Sequence, residues 1–149
     1  MKHARIAING FGRIGRSFFR AAHGTAEFEI AAVNDLADTA TLAYLLKYDS
    51  VYGRYAKTIH TGIGSLYIDG GEVKVFAEKD PAILPWRDLG IDVVVEATGI
   101  FASAEKSQAH LDAGAKRGVI TAPVKGEGVL TALVGVNDDR FENAGPITS

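Results

Sequence analysis

A chain of 149 residues, 47% hydrophobic and 23% charged, is sized for one domain that can bury roughly 70% of its unfolded surface. Its formal net charge of −2 supplies no bulk attraction to nucleic acid or to an anionic membrane, so neither is expected as a partner. The absence of cysteine excludes disulfides, thiolate metal sites and cysteine nucleophiles from these residues.

The opening "MKHARIAING" carries only a short apolar run before Asn9, too short for a signal peptide, and no later stretch approaches the ~18 apolar residues of a membrane span. A cytoplasmic protein is expected. "RIAI" (5–8) is a buried strand candidate running into "NGFGRIGRSFFRAAHG". There Ile14, Phe18 and Ala22 recur at helical spacing, and Arg20, His23 and Gly24 form a helix stop. "FEIAAV" (28–33) is the second strand, and "TATLAYLLKY" a second helix with Leu42, Leu45 and Leu46 on one face and Asp38 or Thr39 as N-cap.

From 55 to 77 the pattern shortens. "SLYI", "DGG" and "EVKVFA" predict a hairpin, because Asp-Gly tolerates the positive φ of a tight turn. "DPAILPWRDLG" is a connection punctuated by proline. Residues 92–97 ("DVVVEA") form a fully buried strand, and a helix N-capped by Ser103 follows. Segments 118–122 and 132–136 complete the alternation, "VKGEGV" (124–129) is a solvated loop, and "NAGPITS" opens a further apolar strand. The fold class is α/β, Rossmann-type and doubly wound, with a mainly parallel sheet of at least five strands and a small antiparallel insertion in the middle.

The most informative stretch is "INGFGRIGR". Gly10, Gly12 and Gly15 match G-x-G-x-x-G between a strand and a helix. Gly10 permits a tight turn, Gly12 lets backbone approach a pyrophosphate, and Gly15 lets the helix lie close to the strand. The amides of Arg13 and Ile14 then face the anion at the helix N-terminus. Asp35 ends the second strand twenty residues after Gly15, where an acid accepts both ribose hydroxyls and repels a 2′-phosphate, so NAD is the expected cofactor. Lys79 can reach an adenine or a phosphate, or be solvated. Thr98 and Gly99 close the valine strand at the carboxyl edge where such sheets hold ligands, and Thr121 closes the next; each serves equally well as a strand-ending turn. His3, His23, His60 and His110 lack metal-ligand spacing and read as surface or capping residues, so no metal is expected. No nucleophile and base pair is present, so no catalytic residue is assigned.

In this order "INGFGRIGR", "VND", "LAYLLKYDSVYGR", "DPAILPW", "EATGIF", "AHLDAGAK" and "GVN" resemble the phosphorylating glyceraldehyde-3-phosphate dehydrogenases across essentially the whole chain. Erythrose-4-phosphate dehydrogenase is similar throughout the same region. The resemblance implies that Arg13 and Ile14, in a loop with Phe11, bind the pyrophosphate, and that Asp35 binds the adenosine ribose, with Leu36 fitting the NAD-preferring form. It implies that Lys79, Thr98, Gly99 and Phe101 surround the adenine, and that Thr121 stands near the nicotinamide riboside where serine is common. Tyr52 and Ala97 replace the more usual histidine and serine.

The family's cysteine nucleophile follows a segment like "ITS", so residues 1–149 are expected to be the NAD-binding domain, with the catalytic domain elsewhere. Aldehyde phosphate and a homotetramer belong to the complete enzyme. The isolated chain is expected to bind NAD without catalysis, and to self-associate through a face that a C-terminal helix covers in the family. The competing reading is a stand-alone NAD-binding or association module.

Overall fold

The computed structural model describes residues 3–124 and 128–149; Lys125 of the loop read as solvated lies outside them. One eight-stranded sheet organises the chain. Its strands are β1 (Ala4–Asn9), β2 (Phe28–Asn34), β3 (Ile59–Gly62), β4 (Ser65–Ile68), β5 (Gly71–Phe76), β6 (Val93–Glu96), β7 (Arg117–Ile120) and β8 (Ile147–Thr148), in the order β3-β4-β5-β2-β1-β6-β7-β8. From β5 to β8 every neighbouring pair is parallel, while β3-β4-β5 is an antiparallel meander. The predicted insertion is thus central in the chain but lies at one edge of the sheet. Strand order reverses at β1, which pairs with β2 on one side and β6 on the other. Doubly wound sheets open a crevice at such a reversal.

Three helices, α1 (Arg13–Ala22), α2 (Thr39–Lys47) and α3 (Ala104–Asp112), cover the sheet. Asp38 caps α2 by accepting from the Thr41 amide at 2.9 Å, and Ser103 caps α3 from the Lys106 amide at 3.2 Å. Each satisfies one of the amides a helix start leaves unpaired. Gly24, at φ +87°, follows α1 as predicted. Arg20 does more than complement its own helix end: Nε and Nη2 both donate to the Leu46 carbonyl, in the last turn of α2, at 3.2 and 2.6 Å. The β4–β5 turn carries Asp69 and Gly70 at φ +49° and +87°, the conformation that made Asp-Gly a hairpin signal.

Alternation along β1 divides the core. Ile6 and Ile8 pack with Phe19, Leu42, Leu46 and Leu66, whereas Ala7 packs with Trp86, Ile91 and Val94 on the other face. Both faces are covered, which is why the strands read as unbroken apolar runs. The β1–β2 register shifts after Ile6, so that Ile6 faces Ile30 but Ala7 faces Ala32. The extra residue, Ala31, joins Ala32 on the Ala7 face, as a bulge requires.

Three expectations are corrected. Ile14 is 56% exposed at the head of α1, and the buried positions of that helix are Gly15, Phe19 and Ala22. The apolar face is therefore rotated from the Ile14–Phe18–Ala22 reading, with Phe18 only partly buried. Leu45 stays 36% exposed beside the buried Leu42 and Leu46. Residues 132–136 are not a strand: Val134 and Val136 are exposed, and the eighth strand forms at Ile147–Thr148 in the "NAGPITS" segment. Outside β8, Leu130 bridges Thr148; the Ser149 amide donates to the Leu130 carbonyl, and the Ala132 amide to that of Ser149. Among the described residues no helix is long and apolar enough to cross a membrane.

Candidate functional site

At the carboxyl edge of β1, β2 and β6 three polar residues stand in one row. Asn9 is in register with Asn34 on one side and with Glu96 on the other, and all three are buried. Above them lies a cleft of about 500 Å³, lined by Asn9, Gly10, Gly12, Asn34, Asp35, Leu36, Glu78, Lys79, Ala97, Thr98, Ile100 and Phe101.

The glycine loop forms one wall, and its glycines have separable reasons to be glycine. Gly10 has φ +90°, and a Cβ there would sit 2.7 Å from the Thr98 amide nitrogen and 2.8 Å from the Ala97 carbonyl carbon. It is thus constrained by the end of β6 as well as by its own turn. A Cβ on Gly15 would meet the Gly10 carbonyl oxygen at 2.1 Å and Ile8 Cγ2 at 3.2 Å, so only glycine lets α1 lie so close to the strand it leaves. Gly12 is different: nothing lies within 4 Å of its Cβ position, and its φ of −71° suits any residue. It caps α1 with no side-chain hydrogen bond and no acid in the first turn. The first intrahelical bond runs from the Arg16 amide to the Gly12 carbonyl, so the preceding amides lack an i−4 partner, as at every helix start. Arg16 Nη1 braces the loop from beneath by donating to the Phe11 carbonyl at 2.8 Å.

Asp35 sits at the mouth of the cleft. Its Oδ2 accepts from the Phe11 amide at 2.8 Å and its Oδ1 from the Ala37 amide at 3.0 Å. The carboxylate is therefore oriented, yet each oxygen keeps a further lone pair. Leu36 and Ile100, 62% and 66% exposed, stand among the lining residues with Phe101.

Glu96 anchors the other wall from below. Its Oε1 accepts from the Thr98 amide at 2.9 Å and the Thr98 hydroxyl at 2.5 Å, and its Oε2 from Asn9 Nδ2 at 2.6 Å and His110 Nε2 at 2.8 Å. Asn9 Oδ1 accepts from Asn34 Nδ2 at 2.7 Å, and Asn34 exchanges two bonds with the backbone of Glu78. Burial alone would push the Glu96 carboxyl up, but the bonds from His110, Thr98 and Asn9 outweigh it and hold the group below its ordinary value of 4.5.

Of the predicted residues, the structure brings Gly10, Gly12, Asp35, Lys79, Thr98 and Phe101 to the cleft. Arg13 and Ile14 are exposed at the start of α1, and Gly99, at φ +75°, is exposed in the turn after β6. Gly15 is buried behind the loop. Phe11 contributes its amide, while its ring is buried edge-on against Phe19, centroids 5.6 Å apart. Thr121, exposed after β7, lies outside the cleft with its hydroxyl on the Glu96 carbonyl at 3.1 Å. His110 is neither a surface nor a capping residue, being fully buried between Trp86 and Glu96.

Sequence reasoning missed Asn9, Asn34, Glu78 and Ile100 in the lining, and Glu96 beneath it. The available signal was positional: Asn9, Asn34 and Glu96 each end an apolar strand directly before its turn.

A sequence profile described as the NAD-binding domain of glyceraldehyde 3-phosphate dehydrogenase matches residues 4–104. The chain is 52% identical over 141 residues to a glyceraldehyde-3-phosphate dehydrogenase of Thermotoga maritima, covering 93% of this chain and 42% of the relative. Relatives of the same name show 49% identity over 138 residues in Geobacillus stearothermophilus (93% and 41% covered) and 47% over 152 in Mycobacterium avium (97% and 44%). The chain thus spans about two fifths of the length of the curated relatives it matches.

Three substitutions test this geometry in chemical unfolding. Gly15→Ala lowers stability by more than about 2 kcal/mol, because its new methyl meets a backbone oxygen that cannot yield, whereas Gly12→Ala costs under about 1 kcal/mol. Glu96→Gln costs about 2–4 kcal/mol at neutral pH, since its amide N–H groups face donors. The carboxylate's contribution is complete above its ordinary value of 4.5 and is lost as pH falls through the lower folded-state value. The acid loss of stability, followed from about pH 5 to about pH 2, is therefore steeper in the wild type than in Glu96→Gln.

Proposed function

This chain belongs to the family of glyceraldehyde-3-phosphate dehydrogenase NAD-binding domains, and from that premise we infer that residues 1–149 form an NAD-binding domain whose cofactor lies in the cleft at the head of β1. The observation that carries the reading is Gly12. Gly10 and Gly15 are explained by the protein's own backbone, but Gly12 has no neighbour that a methyl would touch. Its lack of a side chain serves something that approaches from outside, at a helix start without an acid or a side-chain cap. A dinucleotide pyrophosphate has the charge and size for that place.

The other roles follow from position. The amides of Arg13 and Ile14 hold the pyrophosphate across Gly10, Phe11, Gly12 and Gly15. Asp35, held by the Phe11 amide, spends its remaining lone pairs on the adenosine ribose hydroxyls and repels a 2′-phosphate. Leu36, Ile100 and Phe101 offer apolar surface to the adenine, with Lys79, Thr98 and Gly99 beside it. Thr121, at the far end of the same sheet edge, is assigned to the nicotinamide riboside. When bound, NAD supplies the hydride acceptor; the residues of this chain bind it, orient it and set its selectivity.

The complete protein is proposed to be a homotetrameric, cytoplasmic oxidoreductase that oxidises and phosphorylates an aldehyde phosphate, with glyceraldehyde 3-phosphate favoured over erythrose 4-phosphate. The family's nucleophile is a cysteine and this sequence has none, so the 149-residue chain binds cofactor without turnover.

Calorimetric titration checks the assignment. The wild-type chain binds NAD in preference to NADP. Gly12→Ala, although close to wild type in stability, weakens NAD about tenfold or more by placing a methyl against the phosphates. Asp35→Ala weakens NAD by about tenfold and narrows the preference over NADP. Unchanged NAD binding by a folded Gly12→Ala variant would remove the basis of the reading.

A further inference from the structure

Glu96 and His110 lie beneath the cleft and outside its lining, both buried. The indole Nε1–H of Trp86 points at His110 Nδ1 across 3.2 Å. An indole nitrogen can only donate, so Nδ1 is the acceptor and the imidazole proton sits on Nε2. Nε2–H is then the donor to Glu96 Oε2 at 2.8 Å. Asn9 Nδ2 donates to the same oxygen, and this places the two nitrogens 3.5 Å apart.

Either alternative state of the ring leaves a faulty contact. With the proton on Nδ1, Trp86 would meet a second donor, and Glu96 Oε2 would face a ring lone pair. A doubly protonated ring would satisfy Glu96 but still oppose two N–H groups at Trp86. With Trp86 and His110 both fully buried, such a mismatch leaves a desolvated group unpaired.

The direction of the whole row follows. Because Glu96 accepts only, Asn9 must turn its Nδ2 toward it and its Oδ1 toward Asn34. Asn34 Nδ2 donates that bond, and its Oδ1 accepts from the amide of Glu78, the residue before Lys79. The second Glu96 oxygen holds the Thr98 amide and hydroxyl, and Thr98 backs directly onto Gly10. Donation thus converges on Glu96 from both sides of the cleft floor, from Trp86 through His110 on the α3 side and from the Glu78 amide through Asn34 and Asn9 on the β5 side.

We propose that His110, fixed as its Nε2–H tautomer by Trp86, is a positioning residue for NAD: by completing the donor set of Glu96 it holds in place the carboxylate on which the amide orientations of Asn9 and Asn34 and the turn at Thr98 depend. This rests on the reading of the cleft as the NAD site. It assigns a binding role to a side chain that never touches the cofactor. A histidine that merely filled space could be exchanged for another group without altering the cofactor affinity of the folded protein.

The test uses the 149-residue chain, with long-range ¹H–¹⁵N spectra of the imidazoles and NAD titrations corrected for folded fraction. The wild-type His110 ring shows protonated Nε2 and bare Nδ1. His110→Leu binds NAD about tenfold more weakly, while His110→Gln, which keeps an N–H toward Glu96, stays within about threefold of wild type; this is the scale of loss when the partner that orients a binding group is removed. Where His110→Leu does not fold, Trp86→Phe decides: it keeps an aromatic ring and removes the indole N–H, so the His110 ring becomes a tautomer mixture and NAD weakens. A wild-type ring protonated on Nδ1 would overturn the proposal. So would a folded His110→Leu, or a Trp86→Phe with mixed tautomers, that keeps NAD affinity within twofold of wild type. If the wild type binds no NAD while its ring carries the proton on Nε2, the reading of the cleft fails and takes the positioning role with it.

Discussion

A carboxylate shut away from water must find its hydrogen bonds inside the protein or lose its charge. Glu96 finds four, and the places they come from account for much of the local architecture. One donor is on β1, two belong to the turn immediately after β6, and one is on α3. Asn9 lies 87 positions from Glu96 whereas Thr98 and His110 follow it within 14, and this buried charge requires all of them to meet at one height above the sheet. β1 and β6 both end in that row, so the chain leaves each strand at the same level. The loops diverge there, and the space between them is the cleft.

Much of the fold was legible because the strands are buried on both faces and the turns use residues with few alternatives. The valines of β6, the Asp-Gly turn between β4 and β5, and the caps at Asp38 and Ser103 all express local chemistry that the sequence displays directly. The errors share a physical cause. Residues 132–136 have the composition of a strand, but Ala132 bonds to Ser149 and the backbone then turns from Leu133 onward, since pairing is a property of the assembled sheet. Ile14 has helical spacing to Phe18, but which helical face turns inward is decided by Gly15, which must lie flat against the Gly10 carbonyl.

The site was half legible for a similar reason. Glycine spacing and an acid at the end of β2 are patterns along the chain, so Gly10, Gly12 and Asp35 were found from the residues themselves. The polar row is a pattern across the chain. Asn9, Asn34 and Glu96 are separated by 25 and 62 positions, and nothing within a local window marks them as neighbours. Scattered spacing likewise made His110 look peripheral, although it is among the most buried side chains of the molecule. Spacing can argue against a metal ligand, but it carries no information about burial.

The pairing of residues 130–132 with β8 has a consequence for assembly. A parallel sheet that stopped at β8 would present a bare ladder of amides and carbonyls, the kind of surface onto which a foreign strand adds. Here Leu130 bridges Thr148, and Ser149 both gives and receives a backbone bond with the same segment. The short stretch behaves as a selvedge, finishing the weave where it would otherwise fray into contact with other chains. At the opposite border β3 has only four residues, too short to template much growth. Both margins of the sheet therefore discourage strand addition, and they do so by different means: one is bound off by the chain's own backbone, the other is kept brief.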